Sequence, residues 1–192
     1  IILALAPLLS KGLVRPETII SDSKSGVSGA GRALKEGNLF NECDEDFKAY
    51  SPLMHRHTPE IEQELTEIAG SDAYIMFTPH LLPMKRGILS TIYVELLPGV
   101  SVEAVEKAYN EVYGNERFVR FLGAGHVPRT RNVAGTNFCH IGMQADERSN
   151  RLVLFSAIDN IGKGACGQAV QNMNLMFSLE EGTGLMEGAL VP

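Results

Sequence analysis

Two apolar, β-rich runs, residues 73–81 and 87–97, are separated only by a Pro-Met-Lys-Arg-Gly turn, and a second pair, 136–145 and 151–158, is joined through Asp-Glu-Arg-Ser-Asn. Runs of neighbouring strands with few helices between them point to an α+β fold: a largely antiparallel sheet covered by helices on one face. The remaining segments fit this frame. Residues 1–11 read as a helix closed by Gly12, and 17–23 as a short strand followed by a Gly/Ser loop over 25–32. Residues 47–50 suit a second short strand. Thr58 is placed to cap a helix that starts at Pro59, runs to about residue 68 and stops at Gly70. Ser101 and Gly114 bracket an amphipathic helix over 101–113, residues 118–122 form a strand, and helical spacing returns over 161–177 before a polar tail. There is no internal repeat.

No strand is followed by a G-x-G-x-x-G loop, so a complete dinucleotide-binding half is not expected here. With 192 residues, 44% of them apolar and 21% charged, the chain has the size of one large domain or one half of a two-domain enzyme. Its net charge of −6 gives no basic footprint for nucleic acid. Cys43, Cys139 and Cys166 show neither disulfide nor metal-ligand spacing, which suits a reducing compartment and predicts no metal. The apolar stretch 1–9 is broken by Pro7, is too short to span a bilayer and lacks a basic leader. It reads as the inside of a longer chain, a buried helix whose upstream connection lies elsewhere.

Four strings could carry chemistry. In Lys24-Ser25-Gly26-Val27-Ser28-Gly29-Ala30-Gly31-Arg32, glycines let backbone approach a ligand, amides and hydroxyls can hold phosphate or carboxylate oxygens, and Lys24 and Arg32 add positive charge at either end. A plain Gly/Ser turn explains the same string. His55-Arg56-His57-Thr58-Pro59-Glu60 sets two imidazoles at a helix N-terminus, where the dipole disfavours the imidazolium and keeps a base neutral; the alternative is a pair of surface histidines. Around Pro79-His80, Arg86 could clamp a carboxylate with its planar fork, while Lys85 suits solvated turn charge and His80 a structural histidine. Last, Asp159-Asn160-Ile161-Gly162-Lys163-Gly164-Ala165-Cys166-Gly167-Gln168 offers free amides and Lys163 to an anion, or simply close helix packing. Cys166 sits where a thiol pKa would fall, yet free cysteines are more often inert filler.

Taken in order, Ser-Gly-Val-Ser-Gly-Ala-Gly-Arg, His-Arg-His-Thr-Pro-Glu-Ile-Glu-Gln, Phe-Thr-Pro-His-Leu-Leu-Pro-Met-Lys-Arg-Gly-Ile and Gly-Lys-Gly-Ala-x-Gly-Gln-Ala-Val-Gln-Asn-Met-Asn resemble the signatures of the N-acetyl-γ-glutamyl-phosphate reductase family, along residues 1–192. The resemblance implies the fold of the C-terminal domain of glyceraldehyde-3-phosphate and semialdehyde dehydrogenases. Residues 1–160 would be the catalytic and dimerisation domain, and 161–192 a helix and tail that return to an NADP-binding domain. In that family a Rossmann domain and a Gly-Cys-Tyr-Pro-Thr-Ala segment, which carries the catalytic thiol, lie upstream; neither is in this chain. The implied reaction belongs to arginine biosynthesis. A thiolate attacks the γ-acyl phosphate, phosphate leaves, and NADPH reduces the thioester to N-acetyl-glutamate γ-semialdehyde.

By the same resemblance His57 is the expected general base, with His55 as the weaker candidate. Lys24, Ser25, Arg32 and Arg86 would face the substrate anions. Ser28, Gly29, Lys163, Gly164, Gln168, Gln171 and Asn172 would face the NADP cofactor, most of whose site lies outside the chain. A homo-oligomer in the cytoplasm or an organelle matrix is implied, with a small acyl phosphate as substrate and neither nucleic acid nor membrane as partner. The chain by itself is expected to be inactive. Two alternatives stay open: an aminoadipate-type reductase of lysine biosynthesis, since one methylene is worth only about 1–3 kcal/mol of discrimination, and a non-enzymatic dimerising fragment.

Overall fold

The computed structural model describes residues 1–31, 33, 35–186 and 188–189. In chain order the elements are α1 (Ile2–Ser10), β1 (Ile19–Gly26), α2 (Phe40–Cys43), β2 (Lys48–Ala49), α3 (Thr58–Ala69), β3 (Ile75–Leu82), β4 (Ile88–Glu95), α4 (Val102–Tyr113), β5 (Val119–Ala124), β6 (Cys139–Asp146), β7 (Arg151–Ile158) and α5 (Gly167–Met176). Seven strands form one mixed sheet in the order β2-β3-β1-β4-β7-β6-β5. The pairs β1/β3 and β5/β6 are parallel and the others antiparallel, so the architecture is α+β, as the strand runs predict.

The strand pair β6/β7 forms as its turn suggests, with Cys139 opposite Ile158 and Asp146 opposite Arg151. The strands β3 and β4 do not pair, although five residues connect them. Strand β1 lies between them, parallel to β3 and antiparallel to β4. The connection therefore passes over the end of β1, where Gly26 N–H donates to the Gly87 carbonyl at 2.9 Å and Val27 N–H to that of Met84 at 2.9 Å. A Cβ on Gly26 would lie 2.8 Å from the Met84 carbonyl oxygen and 2.9 Å from the Arg86 nitrogen. Only glycine lets the backbones cross so closely.

Helices α1, α3 and α4 cover one face. Ile19, Ile75, Phe77, Ile92, Val94, Leu152, Leu154, Ile141 and Met143 line it, and Leu5, Leu8, Leu65, Val105 and Tyr109 reach it from the helices. Further along the strands this face turns polar: Ser23, Ser90 and Ser156 stand in one row across β1, β4 and β7. All three are buried, and the hydroxyls of Ser23 and Ser90 are 2.7 Å apart. The opposite face leaves Tyr74, Met76 and Tyr93 exposed.

Helix α1 holds Pro7 in its interior. Proline has no N–H, so the Leu3 carbonyl loses its intrahelical donor. Tyr113 of α4 supplies one, its hydroxyl donating to Leu3 at 2.7 Å, while Tyr109, one turn earlier, donates to the Ala4 carbonyl at 2.5 Å. Burial pushes both phenols above their ordinary pKa, the Tyr109 one well above, so they stay protonated donors.

Candidate active site

The chain between β2 and α3 runs beside β3, with Tyr50 N–H on the Pro79 carbonyl (3.0 Å) and Leu53 N–H on that of Phe77 (3.1 Å). This pins His55. Its ring stands edge-on to Phe77 (5.3 Å between centroids), Tyr50 (5.6 Å) and His57 (4.9 Å). The His57 backbone N–H donates to His55 Nδ1 at 3.3 Å, so the neutral ring carries its proton on Nε2. Burial, then the charges of His57 and Arg56, lower the His55 pKa. His57 is exposed and is itself the N-cap of α3. The cap expected at Thr58 is not formed: Thr58 is the first helical residue and its buried hydroxyl oxygen has no partner among the described residues. Glu60 in the first turn and the left-handed Gly70 at the end complete the helix.

A second cluster forms where β1, β3 and β7 end and β4 and β6 begin. Asn160 joins three motifs: its Oδ1 accepts from Gly87 N–H at 2.7 Å, its Nδ2 donates to Ser28 Oγ at 2.9 Å, and Ser28 Oγ donates to the Lys85 carbonyl at 2.5 Å. Beside it Asp159 is fully buried and accepts from four groups. Its Oδ1 takes Ile161 N–H (2.8 Å), Gly162 N–H (2.7 Å) and Arg86 Nη2 (3.0 Å), and its Oδ2 takes Gly135 N–H (2.5 Å). Arg86 Nε lies 2.9 Å from Oδ2 as a charge contact without an aligned hydrogen bond. Burial pushes the Asp159 pKa up, but the backbone N–H groups and the guanidinium outweigh it and leave the carboxyl below its ordinary value.

The structure divides the predicted site residues. His55 and His57 gather at β3, and Ser28, Gly29 and Arg86 at the end of the sheet. Ser25 is buried just before them, its hydroxyl 3.2 Å from the Gly26 carbonyl. Lys24 is separated from these groups. Strand β1 continues through Gly26, so alternation turns Lys24 to the opposite face from Ser25; there its ammonium lies 2.8 Å from Asp22, whose carboxylate also lies 2.9 Å from His80 Nδ1. Arg32 lies outside the described residues.

The predicted helix over 161–177 begins as a π-helical turn, Gly162–Cys166, before α5. Gly164, Gln168 and Asn172 are accessible, with Gln168 Nε2 donating to Asn172 Oδ1 at 2.8 Å. Lys163 and Gln171 instead point inward. Lys163 is 8% exposed, and its ammonium donates to Gln171 Oε1 at 2.6 Å and lies over the Phe118 ring. Gln171 also accepts from Asn137 and donates to Glu181. Burial lowers the Lys163 pKa. Cys166 is exposed, its thiol donating to the Ile161 carbonyl at 2.9 Å. Asp159 and Asn160 open the fourth string, but sequence reasoning assigns them no separate role there; an Asx pair directly ahead of a Gly-rich helix start is the available signal, because such side chains bond the backbone two or three residues on.

Residues 1–160 match the family model described as "Semialdehyde dehydrogenase, dimerisation domain". The chain belongs to that family. Relatives named N-acetyl-gamma-glutamyl-phosphate reductase include one from Pelotomaculum thermopropionicum, 56% identical over 100% of the chain and 55% of the relative, and one from Geobacter metallireducens, also 56% identical, over 100% and 56%. The chain thus spans about half the length of the curated relatives it matches. Among solved structures, aspartate semialdehyde dehydrogenase II from Vibrio cholerae has a TM-score of 0.72 at 18% identity, covering 92% of this chain and 59% of that one. A probable aspartate-semialdehyde dehydrogenase from Pseudomonas aeruginosa gives 0.70 at 16%, covering 91% and 58%. At those identities the likeness is one of fold, and it gives the dimerisation-domain sheet the architecture of semialdehyde dehydrogenases.

Proposed function

We propose that this chain is the acid–base and dimer-forming half of an NADPH-dependent N-acetyl-γ-glutamyl-phosphate reductase of arginine biosynthesis. The observation that carries the reading is 56% identity to reductases of that name along the whole chain. Those names favour the glutamyl substrate over its aminoadipyl homologue. The catalytic thiol and most of the cofactor site belong to the upstream half.

His57 is the base. It is exposed at the N-terminus of α3, where its ring is open to an incoming reacting group. His55, wedged between Tyr50 and Phe77, holds the His57 backbone. The thiol proton passes to His57, the thiolate attacks the γ-carbonyl, and phosphate leaves from the resulting tetrahedral species to give a thioester. Arg86 grips the substrate anion.

The cofactor fit is partial. The exposed backbone of Gly29 and Gly164 and the amides of Gln168 and Asn172 can approach a dinucleotide, whereas the bonds of Lys163 and Gln171 are satisfied inside the protein. When bound, NADPH would supply the hydride. Two copies would pair through the open face of the sheet, where Tyr74, Met76 and Tyr93 are exposed. No helix among the described residues is long and apolar enough to cross a membrane, and three free cysteines support a reducing compartment, the cytoplasm or an organelle matrix.

Rapid-mixing kinetics on the complete enzyme test this. His57→Asn should slow thioester formation by about 10²–10⁴-fold with cofactor affinity little changed, and His55→Asn should be milder. Normal thioester formation in His57→Asn, with its loss in His55→Asn, would reverse the assignment; if neither variant matters, the base is elsewhere.

A further inference from the structure

The geometry points to Asp159 as the positioning residue for the anion clamp of this site: it presents Arg86 to the substrate, and the same carboxylate fixes the start of the segment that leads into α5. This rests on the reading of Arg86 as a substrate contact.

An arginine at the end of a sheet normally spends its length sampling rotamers in water, and a free guanidinium must lose that freedom to hold an anion. Arg86 has already lost it. Its Nη2 donates to Asp159 Oδ1 at 3.0 Å and its Nε sits 2.9 Å from Oδ2, so one edge of the fork is held at two points. The other edge, Nη1 and the second hydrogen of Nη2, has no partner among the described residues and is left for an incoming oxygen pair. The burial asymmetry fits a support rather than a surface ion pair: the Asp159 side chain is 0% exposed and that of Arg86 32%. Charge is balanced in the same way. Three backbone N–H groups, from Gly135, Ile161 and Gly162, also converge on Asp159, so its negative charge is shared and does not cancel the arginine completely.

The support reaches further than one side chain. Asn160, the next residue, ties Gly87 and Ser28 together. The Asp159-Asn160 pair thus sets the Arg86 turn, the Ser28 loop and the entry to the π-helical turn from a single point of the chain. The hydroxyl of Ser28 and the guanidinium of Arg86 are fixed relative to each other before any ligand arrives. A clamp assembled in advance improves substrate affinity without requiring a new contact.

Steady-state kinetics of the complete reductase, with N-acetyl-γ-glutamyl phosphate and the nucleotide varied separately, test the assignment. Asp159→Asn keeps shape and removes charge. It should raise KM for the acyl phosphate by about tenfold or more, the weight of a hydrogen bond to a charged group, while kcat and the nucleotide KM move by less than about threefold. Asp159→Asn combined with Arg86→Ala should be no worse for that KM than Arg86→Ala alone, because the aspartate acts through the arginine. Arg86→Lys should be nearly as damaging as Arg86→Ala, since a lysine keeps the charge but not the two-point hold. An additive double variant, or an Asp159→Asn that loses kcat with KM unmoved, overturns the positioning role while leaving Arg86 as a substrate contact. An Arg86→Ala with unchanged KM overturns the Arg86 reading itself. Should Asp159→Asn fail to fold, Arg86→Lys decides: a normal KM in that variant shows that a point charge suffices and refutes the inference.

Discussion

Pro7 and Tyr113 should behave as one unit, and a double-mutant cycle can show it. Because Pro7 cannot donate, the Leu3 carbonyl depends on the Tyr113 hydroxyl, 2.7 Å away on another helix. Tyr113→Phe leaves that carbonyl without a partner in a mostly buried setting, which costs about 1–3 kcal/mol. For a chain of this length that lowers Tm by roughly 2–4 °C per kcal/mol. In a Pro7→Ala background the restored N–H at position 7 can satisfy Leu3 through the helix, and the cost of Tyr113→Phe should fall to about 0.5–1.5 kcal/mol, the net worth of an ordinary hydrogen bond. Tyr109→Phe is the control. The Ala4 carbonyl keeps the Leu8 N–H of the α-helical pattern, so this substitution should show no coupling to position 7. Equilibrium urea unfolding measures all of these, with the midpoint expected to shift at constant m. If Tyr113→Phe costs the same with proline or alanine at position 7, the tyrosine is not replacing the missing donor and the reasoning is wrong.

Three other outcomes follow from the structure. The Asp159 carboxyl sits below its ordinary pKa, so its contribution to stability is complete above the unfolded-state value of about 4 and is lost as pH falls through the folded value; acid titration of Asp159→Asn followed by circular dichroism should show a shallower loss of stability below about pH 4. The outer side of the last helix carries Met173, Met176 and Phe177, the last two 79% and 71% exposed, with Ala165 exposed and Val170 partly so. Met176→Ser with Phe177→Ser should therefore reduce self-association of the chain in sedimentation velocity, and unchanged association would show that this patch is not adhesive. The chain alone should show no NADPH-dependent turnover of N-acetyl-γ-glutamyl phosphate in a spectrophotometric assay; turnover abolished by thiol blocking would mean that one of Cys43, Cys139 and Cys166 had been underestimated.

The elements that the sequence determined are those whose signals are local. Ser101 does cap α4, accepting from Ala104 N–H at 3.2 Å, and the alternation of 151–158 is strand β7. The Asp-Glu-Arg-Ser-Asn turn does join two paired strands, and the Gly/Ser, His-Arg-His and Gly-Lys-Gly strings occupy the turns and helix starts where a chain can expose functional groups. Placement was not local. Nothing in residues 73–97 announces that β1 enters between β3 and β4, because a pairing partner 56 or more residues away leaves no mark on local periodicity. Only that insertion extends β1 past Ser23 to Gly26, and the extension sends Lys24 and Ser25 to opposite faces. Lys163 looked like a free cation in sequence. It is buried because Phe118, just ahead of β5, and Gln171 of α5 converge on it from other elements. Charge and residue type are properties of the chain, but whether a group meets water, ligand or another side chain depends on packing across distant segments, which is where desolvation and hydrogen bonding are decided.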